Sequence, residues 1–327
     1  MVKEVAQDIF LIEVPLPNSP LKNLNSHFIR GDSRNLLIDT GFNRDACFEA
    51  LHAGLSELNA NMDKTDIFLT HLHADHCGLC QRIASEHSKI YMSTQDRQIL
   101  LELQDDTARK SMRSTFSANG VPEDILDENM RTNPAFTCIP QGNFAYTAVD
   151  EDTVFDLGSY RLQVVFTPGH TPGHCCLFDK NKKILFSGDH VIFGISPNIM
   201  AWEGVADSLG DYIDSLKKIY PLDVATTFSA HRNSMGDCRA RIDDLIAHHD
   251  LRLKETYEIV KARPNSNAYE VASLMTWSIR AKNWAEFPTT QKWFATGEAL
   301  SHLEHLFHKK SISKSNVGGI FVYNTLD

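Results

Sequence analysis

Apolar residues in the first part of the chain fall in short blocks, each closed by Gly, Pro, Asn or Ser. DIFLIEVP (8–15), SHFIR (26–30) and NLLIDTG (35–41) are short, apolar runs, and their boundaries predict strands. Residues 43–58 change period: Cys47, Leu51, Leu55 and Leu58 recur at helical spacing and share one face. TDIFLT (65–70) returns to a buried strand and KIYMS (89–93) adds another. From about 95 to 132 the chain is polar and helix-favouring. Strands resume at 160–169, at 175–189, where DKNK marks a hairpin turn, and at 224–231. Strands, helices and strands again, in two similar halves, predict sheets packed between helices and not a bundle or an all-β barrel.

From about residue 235 the pattern becomes helical. CRARIDDLIAHHDLRLKETYEIVKA reads as one long helix that RPNSN stops. Asn267 with Glu270 three positions later has capping-box spacing and predicts a new helix over AYEVASLMTW. Another helix is expected around 290–308, then a strand at GGIFVYN (318–324). A chain of 327 residues exceeds what a single core usually serves. The expected organisation is a catalytic domain over 1–235, with 95–150 inserted as a helical lid, and a small helical domain over 236–327. Met112, Phe116, Ile125 and Phe136 would give that lid apolar surface for a substrate.

Composition narrows the function classes. With 42% hydrophobic and 23% charged residues the chain is globular in type, and its net charge of −10 suits it poorly to gripping nucleic acid phosphates. Residues 251–327 are locally basic, ten Lys or Arg against seven Asp or Glu, which permits weak contact only. The amino terminus lacks the apolar run of a signal peptide, and no stretch of about 18 apolar residues occurs. Seven cysteines, an odd number without small-domain spacing, predict reduced thiols and a cytoplasmic location, with no membrane partner.

The chemistry concentrates in THLHADHCG (70–78). In an extended segment His71 and His73 point the same way, and the turn that follows can swing Asp75 and His76 toward a neighbouring point. Imidazole and carboxylate suit Zn, Fe or Mn. Further ligands are available at other strand ends: His170 or His174 in TPGHTPGH (167–174), Asp189 in LFSGDH (185–190) and His231 in FSAH (228–231). Asp39 in LLIDTG is either a partner for a ligand imidazole or a turn residue before Gly. The remaining features take plainer readings. Cys77 and Cys80 are expected to be buried small residues, not a redox pair. His174 and His190 are expected to hydrogen-bond beside the ligands. His302, His305 and His308 form a solvated or interface stripe, and Trp277, Trp284 and Trp293 belong to the small domain's core.

The order His71-x-His73-x-Asp75-His76, then His170, Asp189 and His231, together with LLIDTG, TPGHTPGH and SGDH, resembles the metallo-β-lactamase-fold hydrolase superfamily over about 8–235. The resemblance implies a four-layer αβ/βα sandwich with metals at one edge between the sheets. It implies His71, His73 and His170 on a first ion, Asp75, His76 and His231 on a second, and Asp189 bridging both. The Asp-His pair at 75–76 resembles the dinuclear branch that includes glyoxalase II and β-lactamase-like protein 2. It departs from the branch with a bridging cysteine and from the di-iron branch with Glu. The C-terminal piece resembles a winged-helix-like extension, but only KSISK (310–314) stands where glyoxalase II enzymes carry a basic pair, which argues against a glutathione thioester.

The resemblance thus implies two divalent ions, zinc first with iron or manganese as alternatives. A bridging hydroxide would attack a small ester, thioester or lactone, and Asp75 would orient the nucleophile or relay its proton. A small-molecule substrate is the expected partner, and a homodimer is compatible. Two other readings stay open. One is a single iron on His71, His73, His170 and Asp189 that oxidises a sulfur or persulfide substrate. The other is a phosphodiesterase, nuclease or nucleic-acid binder working through the C-terminal domain.

Overall fold

A computed structural model describes residues 2–232, 236–278 and 281–326. The expected domain boundary at Met235 therefore lies outside the described residues. The first sheet runs in chain order: β1 (Val2–Ala6), β2 (Ile9–Pro15), β3 (Asn23–Ile29), β4 (Asn35–Ile38), β5 (Thr65–Phe68), β6 (Ile90–Met92) and β7 (Thr147–Ala148). Pairing is antiparallel through β4 and parallel from β4 to β7. Parallel neighbours need a crossover, and helices supply each one. α1 (Asp45–Glu57) links β4 to β5, and the single turns α2 (Ala74–Cys77) and α3 (Cys80–Ile83) link β5 to β6. Between β6 and β7 lie α4 (Thr94–Gln104), α5 (Thr107–Ala118), α6 (Glu123–Thr132) and α7 (Pro134–Thr137).

The second sheet contains β8 (Val154–Asp156), β9 (Arg161–Phe166), β10 (Cys175–Asp179), β11 (Ile184–Gly188) and β12 (Thr226–Ser229), in the order β12-β11-β10-β9-β8. Only β11 and β12 pair parallel, with α8 (Ser208–Ile219) as their crossover. Side chains alternate across each strand, so a strand buried on both faces reads as a continuous apolar run. Leu36 and Ile38 of β4 face the second sheet while Leu37 faces the helices. Leu177 of β10 meets that inner core while Cys176 and Phe178 turn to the outer one. Leu51 and Leu55 of α1 cover the first sheet. Leu209, Tyr212 and Leu216 of α8 cover the second, with Ile242 and Leu245 of α9 (Cys238–Ala262). The result is the four-layer helix–sheet–sheet–helix sandwich.

The C-terminal region follows as α9, α10 (Ala268–Leu274), α11 (Thr289–His308) and an antiparallel ribbon of β13 (Ile312–Val317) and β14 (Ile320–Thr325). The capping box is present: Asn267 Oδ1 accepts from Glu270 N at 2.9 Å, and Glu270 Oε2 accepts from Asn267 N at 3.0 Å. Val260, Val271, Leu300, Leu303 and Tyr323 form a core here. Trp293 of α11 does not join it. Its ring stacks on Phe116 of α5 at 3.7 Å between centroids, within the core of the first sheet. Phe116, Ile125 and Phe136 are buried in that same core, and Met112 packs half-buried against it. The apolar surface expected to face a substrate is therefore interior, because α11 occupies it.

Candidate metal centre

The strand ends aim the polar residues. β4 ends one residue before Asp39, which is buried and left-handed at φ +61°, a conformation Asp tolerates better than most residues. Asp39 Oδ1 accepts from Thr70 N at 2.9 Å, and Oδ2 accepts from Thr70 Oγ1 at 2.8 Å. The same Oδ2 lies 2.8 Å from His76 Nδ1. Since the single Thr70 hydroxyl proton goes to Asp39, the Thr70 oxygen is left to accept from His71 Nδ1, 3.0 Å away. Asp39 thus ties the neighbouring parallel strand ends together and orients two imidazoles, so the pairing role holds over the simple turn.

The seven histidines and aspartates singled out from the sequence converge. His73 Nδ1 is 3.0 Å from His71 Nε2 and 3.0 Å from His170 Nε2. His231 Nε2 is 3.4 Å from Asp75 Oδ2 and 3.3 Å from His76 Nε2. Asp189 spans the two groups: Oδ2 is 3.6 Å from His170 Nε2, and Oδ1 is 3.6 Å from His76 Nε2 and 3.5 Å from His231 Nε2. His71, His76 and Asp189 form a third set that overlaps both.

This donor set fits cations. His170 Nδ1 donates to Asn198 O at 2.9 Å and His231 Nδ1 donates to Asn23 O at 2.8 Å. A carbonyl only accepts, so both rings turn an Nε2 lone pair into the cluster. Asp189 Oδ1 is buried with no hydrogen-bond partner, a costly state for a carboxylate unless a cation meets it. Tetrahedral zinc with ligands at about 2.0–2.1 Å separates them by about 3.3 Å, close to the spacings here. Burial, with His170 beside it, holds His73 down at about 3, and burial likewise lowers His71 and His170, which leaves neutral ligands. Burial works to raise the Asp75 carboxyl, yet His76 and His231 outweigh it and keep Asp75 at about 2. Burial opposes charge on His76 and His231, but the surrounding carboxylates raise both.

The neighbours take other parts. His174 Nδ1 lies 2.8 Å from Thr167 Oγ1 and its Nε2 accepts from Asp189 N at 3.1 Å, so it holds the Asp189 backbone and stands outside the ligand sets. His190 is buried against Tyr212, with ring centroids 5.3 Å apart, and also lies outside them. Cys77 Sγ donates to Leu72 O, and burial pushes Cys77 well up and Cys80 to about 12, which makes both inert. Of the two readings of the histidine stripe of α11, solvated or interface, the solvated one fails for two of its three residues, which pack against other elements. His302 is buried beside His249, Nε2 to Nδ1 3.2 Å, and His305 pairs with Asp207 at 2.9 Å; only His308 is exposed.

Two residues of the site were not singled out from the sequence. Asp96 of α4 is fully buried and binds both histidine loops. Its Oδ2 accepts from Leu72 N at 2.9 Å and Thr171 Oγ1 at 2.7 Å, and its Oδ1 from Gly173 N at 2.6 Å. A Cβ at Gly173 would lie 2.1 Å from Ser93 Oγ, so the second Gly of TPGHTPGH is what lets this loop reach the start of α4. The readable signal was Ser93 three positions before Asp96: the Ser93 hydroxyl caps α4 by accepting from Asp96 N. Trp202 is the other. Its Nε1 donates to His170 O at 3.0 Å and its ring lies 6.0 Å from that of His73.

The comparisons with known proteins agree with this fold. A family model described as the Metallo-beta-lactamase superfamily matches residues 21–231. Probable metallo-hydrolase YqjP of Bacillus subtilis is 23% identical over 330 residues, 98% of each chain. The Beta-lactamase-like protein 2 homolog of Drosophila melanogaster is 27% identical over 251 residues, 76% of this chain and 71% of the other. Against the Lactamase-like protein adaB of Aspergillus niger, 24% identical over 237 residues, the match spans 72% of this chain and only 58% of the relative's length. Among solved structures, a metallo-beta-lactamase family protein from Thermus thermophilus superposes with a TM-score of 0.83, at 23% identity, over 99% of this chain and all of that one (100%).

Proposed function

Because this chain belongs to the metallo-beta-lactamase superfamily, we propose that it is a dinuclear metal-dependent hydrolase of a small ester, thioester or lactone. The observation that carries the reading is the pair of three-residue ligand sets with Asp189 reaching into both. His71, His73 and His170 would hold one divalent ion and Asp75, His76 and His231 the other, zinc first with iron or manganese as alternatives. Two such ions lower the pKa of a shared water toward neutrality and polarise a substrate oxygen. The chain's own residues supply the rest. Asp39, the Thr70 hydroxyl that Asp39 orients, and the carbonyls of Asn23 and Asn198 hold protons on Nδ1 of four imidazoles, so that Nε2 faces inward. Asp75 stays ionised beside His231, an acceptor placed to orient a water. Trp202 walls off one side at His73.

The second ligand set supports two ions over a single iron, which would leave Asp75, His76 and His231 without a task. Part of the basic excess of the C-terminal region is spent internally: Arg252 pairs with Glu255 and Glu298, and Lys314 with Glu304. No described helix is long and apolar enough to cross a membrane. Seven buried cysteines without a disulfide support a reducing compartment, and with it the expected cytoplasmic location.

The test combines metal analysis with a panel of acyl-CoA thioesters, lactones and phosphodiesters on the zinc- or manganese-loaded protein. The expected result is two metal equivalents and turnover of a carbonyl substrate. Asp75→Ala should lose activity beyond its loss of metal. One equivalent of iron with oxygen consumption would overturn the reading.

A further inference from the structure

One face of α11 packs on a segment that is neither helix nor strand. Phe294, Gly297, Glu298 and Ser301 recur at helical spacing and meet the segment that carries Asn198, Ile199 and Met200. Ser301 Oγ donates to Ile199 O at 2.6 Å, and Gly297 sits against the Met200 side chain, whose Cε would lie 2.7 Å from a Cβ there. Asn198 joins the helix to the metal centre. Its backbone oxygen accepts from His170 Nδ1 at 2.9 Å, while its side-chain Nδ2 donates to Glu298 Oε2 at 3.0 Å. Glu298 is fixed in turn: its Oε1 is 3.4 Å from Arg252 Nε, and Arg252 also donates to Thr276 O at 2.8 Å and lies 4.3 Å over the Trp277 ring.

We propose that Glu298 is a positioning residue for the metal centre, acting through Asn198 to hold the His170 imidazole with Nδ1 protonated and Nε2 turned to the three-histidine set. The proposal rests on the metal-centre reading above. A ligand imidazole depends on the partner of its other nitrogen, and loss of such a partner costs about 10–100-fold in metal affinity. Here the partner is a backbone carbonyl whose place is set from a helix of the C-terminal region, remote from His170 along the chain. That gives the region a task at the centre without requiring it to touch substrate.

The polarity of the Asn198–Glu298 contact allows a swap. In Glu298→Gln the carboxamide faces two donors, Asn198 Nδ2 and Arg252 Nε, and can accept from only one of them on its oxygen. In the double variant Asn198→Asp, Glu298→Gln, the contact between the two positions forms with its direction reversed, while the longer donation from Asn198 Nδ2 to Phe294 O, 3.4 Å, is given up. The carboxylate at position 198 accepts from the amide nitrogen at position 298, and the amide oxygen there is free for Arg252. The measurement is a stepwise zinc titration against a competing chelator, with the cobalt-loaded optical spectrum as a second readout. Glu298→Gln should weaken one of the two equivalents about tenfold or more, change the cobalt spectrum, and leave the other equivalent within about twofold. The double variant should return both equivalents to within about threefold of the parent. Equal binding in parent and Glu298→Gln, equal weakening of both equivalents, or no recovery in the double variant overturns the proposal. If Glu298→Gln does not fold, the double variant decides alone by the same limits. A parent chain that binds no metal overturns the two-metal reading itself, a result distinct from a parent that binds two and a variant that binds as well.

Discussion

Asp96→Asn tests the scaffold behind both histidine loops. The substitution keeps the side-chain volume but leaves one acceptor atom where Asp96 now receives Leu72 N, Thr171 Oγ1 and Gly173 N. Whichever way the amide turns, at least one bond to a charged acceptor is lost, about 1.5–3 kcal/mol. An opposing effect depends on pH. Burial pushes the Asp96 carboxyl up from 3.8 to about 6, although its three hydrogen bonds pull the other way. A carboxyl with a higher pKa folded than unfolded binds its proton more readily in the native state. Its contribution to stability is full below about 4 and is lost as pH rises through about 6, roughly 3 kcal/mol in all at 1.36 kcal/mol per unit. About half of that falls between pH 5 and 8. Asn at 96 has no proton to release, so the slope disappears with it. Urea unfolding of parent and variant in excess chelator, at pH 5 and pH 8, isolates the effect, because every other titrating group contributes alike to both chains. The parent's advantage should be larger at pH 5 than at pH 8, by on the order of 1 kcal/mol. A gap that stays constant, or widens toward pH 8, refutes the reasoning.

Two further substitutions probe the centre and the core. Asp39→Asn keeps the left-handed backbone conformation but sets an amide hydrogen against His76 Nδ1 and Thr70 Oγ1, or against Thr70 N if it turns over. Metal affinity should fall about 10–100-fold by chelator competition, and affinity within about threefold of the parent would mean that the pairing does not orient His76. Trp293→Ala removes a buried ring stacked on Phe116 and should cost about 3–5 kcal/mol in urea unfolding, within one transition, because α5 and α11 share that core. A cost below about 1 kcal/mol, or a separate early transition, would show that the C-terminal helices are independent of the insertion.

What the sequence made legible is what lies close together in it. The strands β3 to β5 and β10 to β12 announce themselves because both of their faces are buried, so apolar runs such as Leu36-Leu37-Ile38 stand out from their surroundings. The edge strands β1 and β8 do not, since VKEVA and VFD carry charges on faces open to water. α8 went unread although Leu209, Tyr212, Leu216 and Ile219 have helical spacing and Asp207 caps it by accepting from Gly210 N at 2.8 Å. The candidate metal ligands were readable because each follows a strand, and a strand end fixes where the next residues point.

Partnership across the chain is another matter. Nothing near residue 96 says that its carboxylate receives donors from 72, 171 and 173, and in a polar helix an aspartate reads as solvated. His302 and His305 read as a solvated or interface stripe for the same reason, until His249 and Asp207 arrive from α9 and the α8 cap to bury them. α11 gathers these cases in one element. Its periodicity shows a helix with more than one buried face, but not that Trp293 belongs to the insertion's core, Leu303 to the C-terminal core, and Glu298 to the segment behind His170. A helix bound on three sides in this way is held at once by the insertion's core, the C-terminal core and the segment behind His170, which lie far apart in the sequence.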